Sequence, residues 1–283
     1  MIDQILTHEG TIRFLFFVGV LSAMASWEIL APRRILNTPK GLRWYSNLGL
    51  VFFDTLALRV LLPMQAVGMA EIAQHRGWGL LNHLSFPSGL EIVIGVVVLD
   101  FIIYLQHAIF HFLPLFWRLH RVHHTDLDFD VTTGVRFHPI EILLSMGIKM
   151  AAVVVWGLAP IAVIIFEIVL NATSIFNHGN IRLPISIDRV LRLFVVTPEM
   201  HRVHHSVLIK EFNSNFGFNL PWWDRLFGTY RDQPRGGHEN MTIGIRTFRE
   251  GKWCSWLTGM LAMPFVGRVT DYAINRRQWE SKP

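Results

Sequence analysis

Six of the chain's 14 histidines fall in two short strings, His120-Arg121-Val122-His123-His124 and His201-Arg202-Val203-His204-His205, which share one H-x-x-H-H pattern. A third pair, His107 and His111, lies one helical turn apart at the end of a long apolar run. Imidazole is the commonest side-chain metal ligand and suits iron, zinc, copper and nickel. In H-x-x-H-H the first and last rings stand at i and i+4, and the first and middle at i and i+3. A helical turn can therefore aim all three at one centre or share them between two. Eight imidazoles exceed what one ion can use, so the pattern predicts a dinuclear site. Without a metal, such crowding of protonatable rings brings no benefit. Asp100 and Tyr104 extend the His107 and His111 stripe at helical spacing, and are expected to orient the ligand rings or to face the substrate.

Other metal chemistries fit less well. The single cysteine, Cys254, excludes an internal disulfide framework and a cysteine-based zinc site. Structural zinc usually takes four ligands in a closed tetrahedron, commonly with cysteine. A bis-histidine haem leaves most of the rings unexplained, and no H-E-x-x-H is present to make a zinc protease. His8, His75, His83 and His238 read as ordinary surface or core histidines.

These residues sit on a membrane-like chain. Of 283 residues, 51% are hydrophobic and 17% charged, against about 25% charged in an average soluble domain. The mean hydropathy is +0.35, and 21 Phe and 10 Trp suit a lipid-facing surface with interfacial belts. The net charge is +5, yet Lys and Arg lie between apolar runs and not in one stripe, which argues for membrane loops and against nucleic acid. The opening Met-Ile-Asp-Gln lacks a positive n-region and a cleavage site, so the first apolar run is expected to be a retained anchor.

The elements that must position the histidines are apolar helices. About 20 apolar residues span a bilayer; Ile12–Leu30, Asn47–Ala70 and Leu90–His111 qualify. Asp54 and Arg59 in the second are expected to pair or to face the interior. Ser88-Gly89-Leu90-Glu91 reads as a capping box opening the third, and Pro114 ends it. The run Ile140–Phe176 is interrupted at Gly157-Leu158-Ala159-Pro160. Basic residues Arg33, Arg34, Lys40 and Arg43, and later Arg118 and Arg121, place the loops after spans one and three on the cytoplasmic side. A single crossing by Ile140–Phe176 would then separate the two H-x-x-H-H strings by about 30 Å of hydrocarbon. Ligands must converge, so a hairpin of two helices is expected. Trp253–Phe265 is too short to span and is expected at the interface or packed on the bundle. The reading is an all-α, multi-pass transmembrane helical bundle with a histidine-rich dimetal cap on the cytoplasmic side. It divides into residues 1–86 (N-terminal transmembrane helices), 87–232 (catalytic membrane domain) and 233–283 (C-terminal interfacial or cap segment).

The order H-x-x-x-H, H-x-x-H-H, H-x-x-H-H resembles the fatty acid hydroxylase superfamily, also called the sterol desaturase family. The flanks agree: Phe116-Trp117-Arg118-Leu119, Arg136-Phe137-His138-Pro139-Ile140-Glu141, Phe176-Asn177-His178-Gly179-Asn180, Thr197-Pro198-Glu199-Met200 and Trp223-Asp224-Arg225-Leu226-Phe227-Gly228-Thr229-Tyr230. The likeness spans about Asp100 to Tyr230, with a looser one through Pro264-Phe265. It implies an integral membrane enzyme with two iron ions that uses O2 and two electrons to hydroxylate or desaturate a lipid; zinc would mark mis-metallated protein. It also implies that His178 is a ninth ligand and His138 a further ligand or a partner of one. The single His178, where fungal and plant fatty acid hydroxylases have a spaced pair, and the lack of their fused haem domain point to a bacterial-type member. Electrons then come from a separate cytochrome- or ferredoxin-type protein, and the membrane is the bacterial inner membrane.

All-imidazole ligation leaves metal charge uncompensated, so nearby carboxylates are expected to orient the ring N–H groups. Asp126, Asp128, Asp130, Glu199 and Glu211 are the candidates. Arg121 and Arg202 are expected to hold those carboxylates or a lipid phosphate. Residues around Asn215–Trp223 are candidates to line the substrate entry. The competing classes are a metal carrier or sensor, which needs a polar path through the first two spans, and a same-fold lipid enzyme that is not an oxygenase.

Overall fold

Prolines mark where the site-bearing helices begin. Pro114, Pro139, Pro160 and Pro198 each sit in a first helical turn, where the missing N–H has no intrahelical partner to lose and φ is already helical. The computed structural model describes residues 2–270 and Tyr272; Met1, residue 271 and residues 273–283 of the C-terminal segment lie outside the described residues. Among the described residues there is no strand, only two isolated bridges. The helices are α1 (Ile2–Thr7), α2 (Glu9–Leu30), α3 (Lys40–Leu61), α4 (Ala66–Arg76), α5 (Ser88–Phe112), α6 (Pro114–His124), α7 (Pro139–Trp156) and α8 (Pro160–Asn177). Shorter ones follow in the cap: α9 (Ile185–Leu191), α10 (Pro198–His204), α11 (Ile209–Phe212) and α12 (Trp222–Leu226).

Five segments are long and apolar enough to cross a membrane: α2, the Lys40–His83 stretch, α5, α7 and α8. Their outward faces carry Phe14, Leu15, Leu30, Phe52, Val60 and Val155, all exposed, as a lipid-facing surface requires. Their inward faces pack Ala66, Leu99, Ile103, Val153, Val163 and Phe166 into one core. The chain is a multi-pass membrane helical bundle capped at one end by the polar segment after Ile181.

The run from 140 to 176 is a hairpin. Gly157 ends α7 in the left-handed region, φ 68°, and Pro160 opens α8. At 18 residues, each arm is about 27 Å long at a rise of about 1.5 Å per residue, enough to cross and return. Gly157 also meets Gly79 (φ 89°): a Cβ on Gly79 would lie 2.1 Å from the Gly157 nitrogen, and one on Gly157 2.7 Å from the Trp78 carbonyl oxygen. Gly157→Ala is therefore expected to cost about 1–3 kcal/mol. A thermal midpoint in detergent that does not fall would contradict this backbone contact.

Three expectations change. The Ser88–Glu91 capping box does not form: Pro87 occupies the cap position, the helix starts at Ser88, and no side chain caps it. Asp54 and Arg59 do not pair; Asp54 faces the interior, the second of the expected alternatives, but Arg59 is exposed. The first two spans are richer in buried polar groups than their hydropathy implies, with Glu28, Arg43, Ser46, Asn47 and Asp54 all buried. Most of these tie the loop 125–136 to the bundle. Glu28 accepts from the backbone N–H groups of Val131 and Asn180, and Asn47 bonds Thr132 and Arg136. The Trp253–Phe265 segment packs on the bundle: Met260 and Met263 join Leu50 of α3 and Val122 of α6.

Candidate metal centre

Nine histidines converge where α5, α6, α8 and α10 end together. Ligand-capable atoms of His107, His111, His120, His124 and His204 lie within 4.8 Å of one another, and those of His123, His178, His201 and His205 form a second such group. All nine are buried. The two strings divide reciprocally. His120 and His124, at i and i+4, join the first group while His123 turns to the second; His201 and His205 join the second while His204 turns to the first. The groups touch, with His124 of the first and His205 of the second 4.6 Å apart at their ring centroids. Within them, His111 Nε2 is 3.1 Å from His124 Nε2, and His178 Nε2 is 3.2 and 3.1 Å from those of His123 and His205.

The ring orientations are those of ligands. Nδ1 of His107, His178 and His204 lies 2.7, 2.8 and 2.7 Å from the carbonyls of Phe216, Ser174 and Ser214. His120 Nδ1 lies 2.7 Å from Glu141 Oε1, and His111 Nδ1 3.3 Å from Asn213 Oδ1. An Nδ1–H donated to oxygen fixes the tautomer that leaves the Nε2 lone pair free, the usual arrangement around a histidine-bound metal. Nε2 of His107, His120 and His204 and both nitrogens of His201 are buried without a hydrogen-bond partner. Buried polar atoms are rarely left so without a reason. Burial pushes His120 and His178 down to about 3. Burial, then the neighbouring imidazoles, holds His123, His124, His201 and His205 well below the usual value. These rings are neutral at pH 7, as metal ligands must be. The donor set fits one or two borderline divalent ions such as iron or zinc.

Glu141, like Asn213, is a side chain on the rings that sequence reasoning missed. Glu141 sits in the first turn of α7, 3% exposed, and its visible signals are an acid at the start of an apolar span and its place at the end of the Arg136–Glu141 flank. Glu141→Ala is expected to weaken metal binding about 10–100-fold, measured by competition with a chelator. Glu141→Gln, whose amide oxygen accepts the same N–H, is expected to retain most of it. Equal affinity in wild type and Glu141→Ala would show that the carboxylate does not orient His120.

The other expected partners of the rings lie elsewhere. Among the described residues, none of Asp126, Asp128, Asp130, Glu199 and Glu211 bonds any of the nine rings. Asp126 and Asp130 bind Arg43 at 2.8 and 2.7 Å, and Asp128 accepts from the backbone of Asn37 and Thr38. Burial opposes ionisation of Asp126, but Arg43 and Arg136 hold its carboxyl at about 2. Asp126 and Asp130 therefore act on His178 only through space, as charges favouring its protonated form. Glu199 binds Arg33, Arg202 and His238 at 2.8, 3.0 and 2.9 Å. Glu211 accepts from the Arg235 N–H at 2.6 Å. Arg202 thus holds a carboxylate, while Arg121 holds the carbonyls of Met263, Val266 and Arg268 and anchors the C-terminal segment. His138 stands outside both groups: its Nδ1 accepts from the Ile140 N–H at the start of α7, and its Nε2 contacts the Leu261 carbonyl. Asp100 bonds Trp223 Nε1 at 2.7 Å and Tyr104 bonds Thr229 at 3.0 Å, so both fasten the 215–230 segment to α5. Within it Asp224 accepts from the N–H groups of Phe216 and Gly217 at 2.8 Å, fixing the carbonyl that holds His107. Burial raises Asp224 to about 6.

A cavity of about 1110 Å³ opens beside the first group, bordered by His107 and His120 and running between α2, α3, α4, α5, α7 and α8. Phe218, from the expected entry segment, is in its wall. Pockets for small ligands occupy roughly 300–1,000 Å³, so this one is large enough for a lipid.

A membrane helical bundle carrying histidine clusters able to bind metal is the class that fold and site define. Residues 92–229 match the family model for fatty acid hydroxylase, and the chain belongs to the fatty acid hydroxylase superfamily. Over 197 residues it is 32% identical to an ornithine lipid hydroxylase of Rhizobium tropici, covering 69% of this chain and 56% of that protein. It is 29% identical over 154 residues to an alkylglycerol monooxygenase of Xenopus tropicalis (53% of this chain, 32% of that one). It is 25% identical over 201 residues to a cholesterol 25-hydroxylase of Rattus norvegicus (69% and 60%). The match thus spans less than two thirds of each of these relatives. No solved structure matches the chain.

Proposed function

We propose that the chain is an integral membrane oxygenase that hydroxylates or desaturates a lipid at a pair of iron ions. The observation that carries this reading is the reciprocal gathering of nine neutral imidazoles into two touching groups beside a lipid-sized cavity. His107, His111, His120, His124 and His204 would hold one ion, and His123, His178, His201 and His205 the other. When bound, the ions supply the redox capacity to activate O2. Hydroxylation converts a C–H bond, O2, two electrons and two protons to C–OH and water; desaturation takes the same inputs, removes two hydrogens and gives two waters.

The protein's own groups do the positioning. Glu141, Asn213 and the carbonyls of Ser174, Ser214 and Phe216 fix the rings. Phe110, Phe137 and Phe218 line the cavity beside them and exclude water from the reacting carbon. The relatives are named for ornithine lipid, alkylglycerol and cholesterol. A membrane lipid with a polar end is the substrate class proposed here, with electrons from a separate cytochrome- or ferredoxin-type protein. Arg33, Arg34, Arg43 and Arg118 gather at the imidazole end, which supports a cytoplasmic site in a bacterial inner membrane.

The test is isotopic. Iron-loaded protein prepared without oxygen, then given reductant, membrane lipid and ¹⁸O₂, is expected to yield a lipid carrying one heavy oxygen or lacking two hydrogens. Iron-loaded protein that consumes no O2 with any lipid fraction would sink the reading.

A further inference from the structure

The cavity beside the imidazoles is not lined as a bare hydrocarbon chain requires. Asp54 of α3, Gln106 of α5 and Glu141 of α7 all border it, together with His107 and His120. Each of the three carries an oxygen that is buried and accepts no hydrogen bond: Asp54 Oδ1, Gln106 Oε1 and Glu141 Oε2. Asp54 is 8% exposed and lies in a membrane-spanning helix. Among the described residues no cation pairs with it. A carboxylate at such depth is costly without a partner, and intramembrane ionisable residues mark functional sites by default. Glu141 uses its other oxygen on His120; neither Asp54 nor Gln106 has any task in holding the rings.

Three acceptors without donors call for a ligand that brings N–H groups and positive charge. An anionic headgroup would meet the guanidinium groups of Arg13 and Arg59 on the wall, but Arg59 is exposed and is not a buried cation to match the three buried acceptors. Arg13, which also lines the cavity, is already held by Glu9 at 3.1 Å and Glu167 at 3.0 Å, and Glu167 holds Lys149 as well. Phe14, Phe17 and Leu58 give α2 and α3 an apolar share of the wall, beside further polar residues such as Glu9, Gln65 and Glu71.

We propose that the cavity takes a lipid whose polar end carries a primary ammonium group, which donates to Asp54 and Gln106 while the apolar remainder runs between α2 and α3. The polar end of the lipid, and not the tip of its chain, then lies nearest His107 and His120. This rests on the reading of the cavity as the lipid site.

The test is binding, by native mass spectrometry of the full-length chain released from micelles. The probes are a long-chain amino-alcohol lipid and the matching diol, in which hydroxyl replaces ammonium. Wild type is expected to retain the amine roughly 10–100-fold better, and Asp54→Asn to bring the two near parity while still holding the diol. Gln106→Leu is expected to weaken the same preference independently. Co(II) bound per chain checks that each variant is folded. Equal retention by wild type, or a preference that survives both substitutions, overturns the proposal. Headgroup preference without lipid oxidation by iron-loaded protein would count against the oxygenase reading alone; oxidation of both lipids without preference would count against the ammonium site alone.

Discussion

His201→Ala is expected to remove one metal equivalent per chain, leave the other in place, and abolish lipid oxidation. His201 is the sharpest probe of ligation because neither of its nitrogens makes a hydrogen bond. Its loss therefore removes packing and a ligand, and nothing else. It belongs to the four-histidine group, which would fall to three. Loss of groups that merely orient ligands costs roughly 10–100-fold in metal affinity, and loss of a ligand should cost at least as much. The five-histidine group keeps its full set and should still load. Metal analysis and oxygen uptake on the same preparation check this. Two equivalents bound with activity intact would show that His201 is not a ligand, and loss of both equivalents would show that the groups do not load separately.

Arg43→Ala is expected to destabilise the protein by about 3–5 kcal/mol, the usual cost of removing one partner from a buried ion pair. Arg43 is 1% exposed and binds Asp126 and Asp130, themselves 1% and 0% exposed. Its removal leaves two carboxylates in the interior facing Arg136 and neutral donors, the hydroxyls of Thr132 and Thr133, the Trp44 indole N–H and backbone N–H groups. The loop they belong to connects α6, which carries three of the imidazoles, to α7, which carries Glu141. Metal loading should therefore suffer together with stability. Thermal unfolding in detergent measures the effect. A shift no larger than that of an exposed pair, about 0–1 kcal/mol, would mean the network does not hold the loop.

What could be read from the sequence was what is local. The i, i+3 and i+4 spacings of the histidine strings survive any fold that keeps those turns helical, so eight of the nine rings could be named from spacing; His178 stands alone in the sequence and came only from the resemblance to the family. How they divide between two groups could not be read, since that depends on how α6 and α10 face each other. The hairpin was legible because Gly157 and Pro160 punctuate an apolar run whose length would otherwise part the strings. The carboxylates were not legible. Asp126, Asp128 and Asp130 adjoin a histidine string in sequence, but Arg43 and the Asn37–Thr38 backbone, some 90 residues away, claim them. Glu141 follows His120 by 21 positions and reaches it only because α7 starts where α6 ends. The Ser88 cap failed for a smaller reason: Pro87 already sets the entry of α5, so the helix begins one residue earlier than the box requires.

Anaerobic titration of the metal-free chain with Fe(II), followed by X-ray absorption at the iron edge, goes most directly to the dinuclear centre. Two irons per chain, each surrounded by imidazole nitrogen without sulfur, is the expected result. A single iron per chain, or irons whose scattering shows no imidazole, would contradict it.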